Sequence, residues 1–232
     1  MSLTENLLRP LSSARPLVTH YDDAAGTRVE LSVATLTNWA AKTANWLVQE
    51  HDVEPGTPVS VALPAHWQTA GVLLGAWWCG ARVVASPDGA AVAFVPPSGS
   101  GASSGAEVVA AVSLDPMGRD LRDDVPPGMV DFVADARLHG DDFYGSPVPG
   151  DTPCLGDSTV DEVLTSSRER AASLGLGPES RVLSTLDWTV PDGILAGFVT
   201  VLAAGASLVQ VTSPDPNLLV RHRESERTTT DL

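Results

Sequence analysis

The side chains that could carry chemistry are few and scattered. The run Ser98–Gly105 (SGSGASSG) could be taken for a phosphate loop, because it follows a strand-like segment and its main chain is free to turn toward an anion. It lacks the closing Lys-Ser/Thr pair of a triphosphate loop, and Gly/Ser runs of this kind act as connectors. His139, Asp141 and Asp142 form a second cluster. Neighbouring residues point apart and no further ligand follows at a metal spacing, so it reads as a solvated loop. His20 and His66 are single histidines beside apolar runs and read as packed or surface residues rather than bases. Cys79 and Cys154 make no CxxC pair, and Cys79 inside WWCGA reads as a core thiol. Trp39, Trp46 and Trp77-Trp78 read as core or interface anchors. Lys42, the one lysine, sits on a helix-like segment and reads as a solvated surface residue.

The elements that must position these residues alternate between strand and helix. Leu17–Glu30 reads as a hairpin around Asp-Asp-Ala-Ala-Gly. Ser32–Glu50 has helical spacing of apolar residues behind a Ser32 cap. Val59–Leu63, a helix over Ala65–Cys79 closed by Gly80, and Arg82–Ala85 make a βαβ unit with a doubly covered strand. Strands are expected at Ala91–Val95 and Glu107–Leu114, and a helix over Met129–Leu138. His139–Asp151, rich in Asp, Gly and Pro, is the expected internal boundary of a domain spanning residues 1–211 in two lobes. A helix at Thr159–Leu174, a strand at Arg181–Leu186, a helix at Asp192–Ala203 and a strand at Ala206–Val211 follow. The tail 212–232 holds one short helix, Pro216–Glu224.

Composition narrows the function classes. With 232 residues and 43% hydrophobic content, the chain can bury roughly 70–75% of its unfolded surface. Its net charge of −15, from 29 acids against 14 bases, excludes a surface that displaces counterions from nucleic acid. The same balance disfavours anionic membranes. Met1–Pro16 has no continuous apolar stretch, and no apolar run is long enough to span a bilayer, so a cytoplasmic protein is expected.

Two segments carry a family resemblance. Leu36–Ser86 holds Gly56–Val59, Leu63-Pro64 and Gly80-Ala81 in the order of a strand entry, a Leu-Pro stop and a helix ending in Gly-Ala. Leu174–Val211 holds Arg181-Val182-Leu183, Asp192-Gly193 and the stretch Leu202–Ala206. Together they resemble the N-terminal part of the adenylate-forming (AMP-binding) superfamily of acyl-CoA synthetases and adenylation domains. The chain is also similar to short actinobacterial proteins that match only that part. The resemblance implies an α/β fold of mostly parallel sheet flanked by helices, a truncated relative of that N-terminal domain. It also implies an acyl pocket lined by Asp187, Trp188 and Asp192; read as residues alone, these form a polar turn with Asp192 capping a helix.

The chemistry of that superfamily needs N–H donors, lysine and Mg²⁺ around a triphosphate. In family order the phosphate loop falls at Asp151–Val163, which reads DTPCLGDSTVDEV. That segment has one glycine, no lysine, and the acids Asp151, Asp157 and Asp161 in its loop and first turn. The histidine expected before Asp192-Gly193 is replaced by Trp188–Pro191, and the motifs for adenine, ribose and the catalytic lysine would lie beyond Leu232. The expectation is therefore a protein without catalytic residues or cofactor, acting in interaction or regulation. The alternatives are a small-molecule binder with a remnant acyl or nucleotide pocket, and half of a split enzyme. The strand at Ala206–Val211 is expected to be an apolar edge, covered by a second copy, by a partner protein, or by the tail folding back.

Overall fold

The computed structural model describes residues 1–98 and 105–232. The helices are α1 (Leu3–Leu8), α2 (Val33–His51), α3 (Trp67–Trp78), α4 (Phe132–Ala136), α5 (Val160–Ser173), α6 (Asp192–Ile194), α7 (Thr200–Ala203) and α8 (Pro216–Glu226), with a π-helical segment at Leu195–Val199 joining α6 to α7. The strands are β1 (Pro16–Asp22), β2 (Thr27–Ser32), β3 (Pro58–Val61), β4 (Arg82–Val84), β5 (Val92–Val95), β6 (Val108–Ala111), β7 (Val130–Asp131), β8 (Pro153–Leu155), β9 (Ser158–Thr159), β10 (Arg181–Ser184), β11 (Ser207–Thr212) and β12 (Thr230–Asp231). Residues 99–104 of the Ser98–Gly105 run lie outside the described residues, and the phosphate-loop reading of that run lies there with them.

The strands form two sheets. One has five strands in the order β12-β10-β11-β1-β2; the other has seven in the order β7-β6-β5-β3-β4-β8-β9. Pairing is parallel except at β1–β2 and β8–β9, which are hairpins. The central parallel strands β5 and β11 are buried on both faces, which explains why Val92–Val95 and Ser207–Val211 read as continuous buried runs rather than alternating ones.

Helix α3 is apolar around its whole circumference, and every residue from Trp67 to Trp77 is buried. It touches β1 of the five-stranded sheet and β4 of the seven-stranded one, and packs on α1 and α2. The closest approach is at Gly75, where an added Cβ would stand 2.3 Å from Thr43 Cβ and 2.8 Å from the Ala40 carbonyl. Only glycine lets α2 and α3 come that close. Trp77 stacks on Phe198 (ring centroids 6.4 Å apart), so the 195–203 helical segment shares this core.

Three expectations are corrected. The segment Met129–Leu138 divides into β7 and α4, because the Asp131 carboxylate accepts from Val133 N–H (3.1 Å) and Ala134 N–H (3.2 Å) and starts the helix there. His139–Asp151 does not separate two lobes in sequence: the five-stranded sheet draws strands from both sides of it, and β8, just after it, pairs with β4. Finally, the strand at 207–212 is not an edge. It lies between β10 and β1, and the tail contributes β12, which pairs with β10 through Val182–Thr230 and Leu183–Asp231. An uncovered apolar edge at that strand therefore gives no reason for self-association.

An ion-pair cluster fastens the tail. Glu226, at the end of α8, accepts from Tyr21 Oη (2.6 Å) and Arg28 Nε (2.8 Å), and pairs with Arg181. His222 Nε2 lies 2.8 Å from Asp23 Oδ1. Burial raises the cost of a charge at Glu226, and the hydrogen bonds from Arg28, Tyr21 and Arg181 outweigh it, holding the carboxyl at about 2.

Candidate functional site

In parallel sheets the C-terminal ends of the strands open toward the crevice where ligands bind. Here a cleft of about 430 Å³ lies there. One wall is Val61–Pro64, running off the end of β3, with Ala85 just past β4. The other is Asp187–Val190, the loop between β10 and α6. Gly193 allows that loop to fold tightly, since a Cβ there would meet the Asp187 carbonyl oxygen at 2.2 Å. Gln210 on β11 pins the loop through its Nε2, which donates to the Leu186 carbonyl (3.1 Å).

The three residues expected at this pocket are treated unequally. Asp187 is exposed and Trp188 is 3% exposed, and both line the cleft. Trp188 packs on Phe198 with ring centroids 4.5 Å apart, so its indole is a wall anchored in the core. Asp192 is exposed, is not among the lining residues, and makes no capping bond. The Pro191 and Thr189 carbonyls accept from the first turn of that helix, and the Asp192 carboxylate is left to favour its positive end electrostatically.

The fold also brings together two histidines that stand far apart in the sequence. His20 on β1 and His66 at the N-cap of α3 are 1% and 6% exposed, with ring centroids 4.4 Å apart. His66 Nδ1 accepts from Gln68 N–H (3.1 Å), which requires that nitrogen to be unprotonated. His20 Nε2 lies 3.0 Å from Thr212 Oγ1, and its Nδ1 has no hydrogen-bond partner among the described residues. Burial lowers His20 to about 4, opposed by nearby Asp22 and the Ala65 backbone. Burial lowers His66 to about 3, and the neighbouring His20 lowers it further. Both rings are neutral at physiological pH. No spacing rule could have paired them, because their meeting depends on how β1 packs against the β3–α3 connection.

The position that the resemblance gives to a phosphate loop holds something else. β8 and β9 form a short hairpin that runs straight into α5. The first N–H groups of α5 are bonded within the chain: Val160 donates to the Thr152 carbonyl (3.1 Å), Asp161 to the Gly150 carbonyl (2.9 Å) and Glu162 to Thr159 Oγ1 (3.3 Å). Glu162 returns the bond to Thr159 N–H (2.9 Å), which completes a capping box. Asp161 and Glu162 put two carboxylates in the first turn, and Asp151 and Asp157 are exposed beside it. Arg82 Nη1 reaches Asp157 at 3.2 Å.

Lys42 is not the free surface lysine its helical position suggests. Its Nζ donates to the His139 carbonyl (2.7 Å) and pairs with Asp141 (2.8 Å), while Asn45 Nδ2 donates to the Asp142 carbonyl (2.9 Å). These bonds stitch the 139–142 loop to α2. Among the described residues no group of three or more His, Cys, Asp or Glu could hold a metal, and no helix is long and apolar enough to cross a membrane. Cys79 and Cys154 are buried free thiols, both pushed up to about 12, mainly by burial.

No protein-family model matches the chain. It is 42% identical over 240 residues to a TIGR03089 family protein of Mycobacterium tuberculosis (strain ATCC 25618 / H37Rv), covering 98% of this chain and 97% of the relative. Its fold is similar to that of a Brucella canis acyl-CoA synthetase (TM-score 0.81, 15% identity), covering 100% of this chain and 47% of that one. It is also similar to apo MatB from Rhodopseudomonas palustris (TM-score 0.76, 16% identity, 100% and 49% covered). A benzoate CoA ligase from Burkholderia xenovorans LB400 gives TM-score 0.77 at 14% identity, with 100% and 50% covered. The chain thus spans about half the length of these solved structures, matching their N-terminal part.

Proposed function

The chain belongs to the TIGR03089 family, and from the geometry at the start of α5 we propose that it is a non-adenylating binding protein built on the acyl-CoA synthetase fold. The observation that carries this reading is the occupied N-terminus of α5. Its first N–H groups are spent on Thr152, Gly150 and Thr159, and Asp161 and Glu162 sit where a polyphosphate would bring negative charge. Losing a single oxyanion donor costs about 2.7–4 kcal/mol of transition-state stabilisation. Here a cradle of donors is replaced by acids, and the one lysine is committed to the 139–142 loop.

What such a protein retains is the cleft of about 430 Å³, with Trp188 as its apolar wall and Asp187 at its mouth. A remnant acyl pocket of this kind suits a small-molecule-dependent interaction or regulatory role without turnover. Two buried, unpaired thiols are consistent with a cytoplasmic setting. The test is incubation of the pure protein with ATP, Mg²⁺ and a panel of carboxylic acids. The expected result is no pyrophosphate release and no thermal shift with millimolar ATP, since binding to the native state alone would raise the melting temperature. Carboxylate-dependent pyrophosphate release that scales with protein concentration overturns the proposal. Thermal shifts with acyl ligands that vanish in Trp188→Ala would support the pocket assignment.

A further inference from the structure

A second cavity lies away from that cleft and shares no lining residue with it. It is a groove of about 460 Å³ between α1, the connection after it, the first turns of α2 and the end of α3. Leu8, Leu11, Val33, Ala34 and Trp78 form its wall. Leu8 and Val33 are buried core residues that present one side to the groove, and half-buried Trp78 closes it, braced by Phe143 (ring centroids 5.9 Å).

One cation stands at its rim. Arg9 is exposed there, and among the described residues its guanidinium has only Met1 Sδ, at 3.7 Å, as a polar neighbour. Among the described residues no carboxylate lies within ion-pair distance of it, as is also the case for Arg15, Arg137, Arg168, Arg170, Arg221 and Arg227. Glu5, the acid lining the groove, is turned to Ser2, accepting from its N–H (2.8 Å) and hydroxyl (3.0 Å). The first turn of α2 holds no acid. Its N–H groups are bonded to Arg15, Ser13 and Ser32, so the helix adds a positive field at the groove but no free donor.

We propose that this groove binds an amphiphilic monoanion, a carboxylate on an apolar tail. The tail lies along Leu8, Leu11, Val33 and Trp78, and the carboxylate takes the paired N–H donors of Arg9, a geometry that guanidinium and carboxylate share. Asn38 at the same rim supplies an amide to the head group.

Decanoate, titrated calorimetrically into the full chain below its micellar concentration, is the probe. One saturable site is expected. Arg9→Gln should weaken decanoate about tenfold and leave decan-1-ol unchanged, as removal of one charge-assisted pair predicts. Ala34→Trp, at an exposed position on α2, should fill the groove and abolish both while leaving the circular dichroism and melting temperature intact. The proposal is overturned if no saturable heat is seen at millimolar decanoate, if decylammonium binds as tightly, or if Arg9→Gln changes nothing. It is equally overturned if Ala34→Trp turns a dimer into a monomer in sedimentation, which would make a second copy the occupant.

Discussion

The His20–His66 contact makes the stability of this fold sensitive to mild acid. In the unfolded chain a histidine titrates near 6.5, whereas the folded protein holds His20 at about 4 and His66 at about 3. A depressed folded pKa means that the unfolded state binds more protons below 6.5, so stability is greatest above that value and falls as pH drops toward the folded values. Between pH 7.5 and pH 5.0 both folded rings stay neutral, so the loss is set by protonation of the unfolded chain alone. It comes to about 2 kcal/mol per histidine and about 4 kcal/mol for the pair, a large share of the 5–15 kcal/mol typical of a domain. Glu226 is held at about 2 and an unfolded glutamate is mostly ionised down to pH 5.0, so it contributes only about 0.2 kcal/mol in this window. His51, also lowered by burial, adds a background shared by every variant. The informative variant is His66→Asn, because asparagine can still accept the Gln68 N–H and cap α3. Urea unfolding at fixed ionic strength should show the variant losing about 2 kcal/mol less than the parent between pH 7.5 and 5.0. An unchanged pH slope in His66→Asn would refute the assignment of acid sensitivity to this pair.

Three further outcomes follow from the packing. Gly75→Ala places a methyl 2.3 Å from Thr43 Cβ, against backbone on its other side, and should cost about 1–3 kcal/mol in urea unfolding by forcing α2 and α3 apart. Glu226→Ala leaves Arg28, Arg181 and Tyr21 without their shared acceptor; hydrogen exchange should accelerate at 229–232 before the rest of the five-stranded sheet, with about 2 kcal/mol lost globally. Thr159→Ala removes the capping box of α5 and should cost about 1 kcal/mol, again by urea unfolding.

Much of this protein was legible from local physics. The hairpin at 16–32, the helix capped by Ser32, the βαβ unit over 58–84 and the helix at 160–173 follow from apolar periodicity, caps and turn residues that act within a few positions. The expectation that Asp151–Val163 is unsuited to a polyphosphate rests on Asp157, Asp161 and the lack of a lysine in that segment, which are matters of composition. Tertiary structure decided what depends on long-range placement. It put the 207–212 strand inside its sheet, because β1 from the start of the chain and β10 pair along its two sides, while the tail covers β10 instead. It tied Lys42 to a loop nearly a hundred positions away and set His20 against His66. It put Asp187 and Trp188 in one cleft while leaving Asp192 outside, since the lining loop ends at Val190 and Asp192 already belongs to the helix that follows. Hydrophobic pattern and capping are local and act along the chain, whereas ion pairs, clefts and buried contacts arise only when distant segments share a wall.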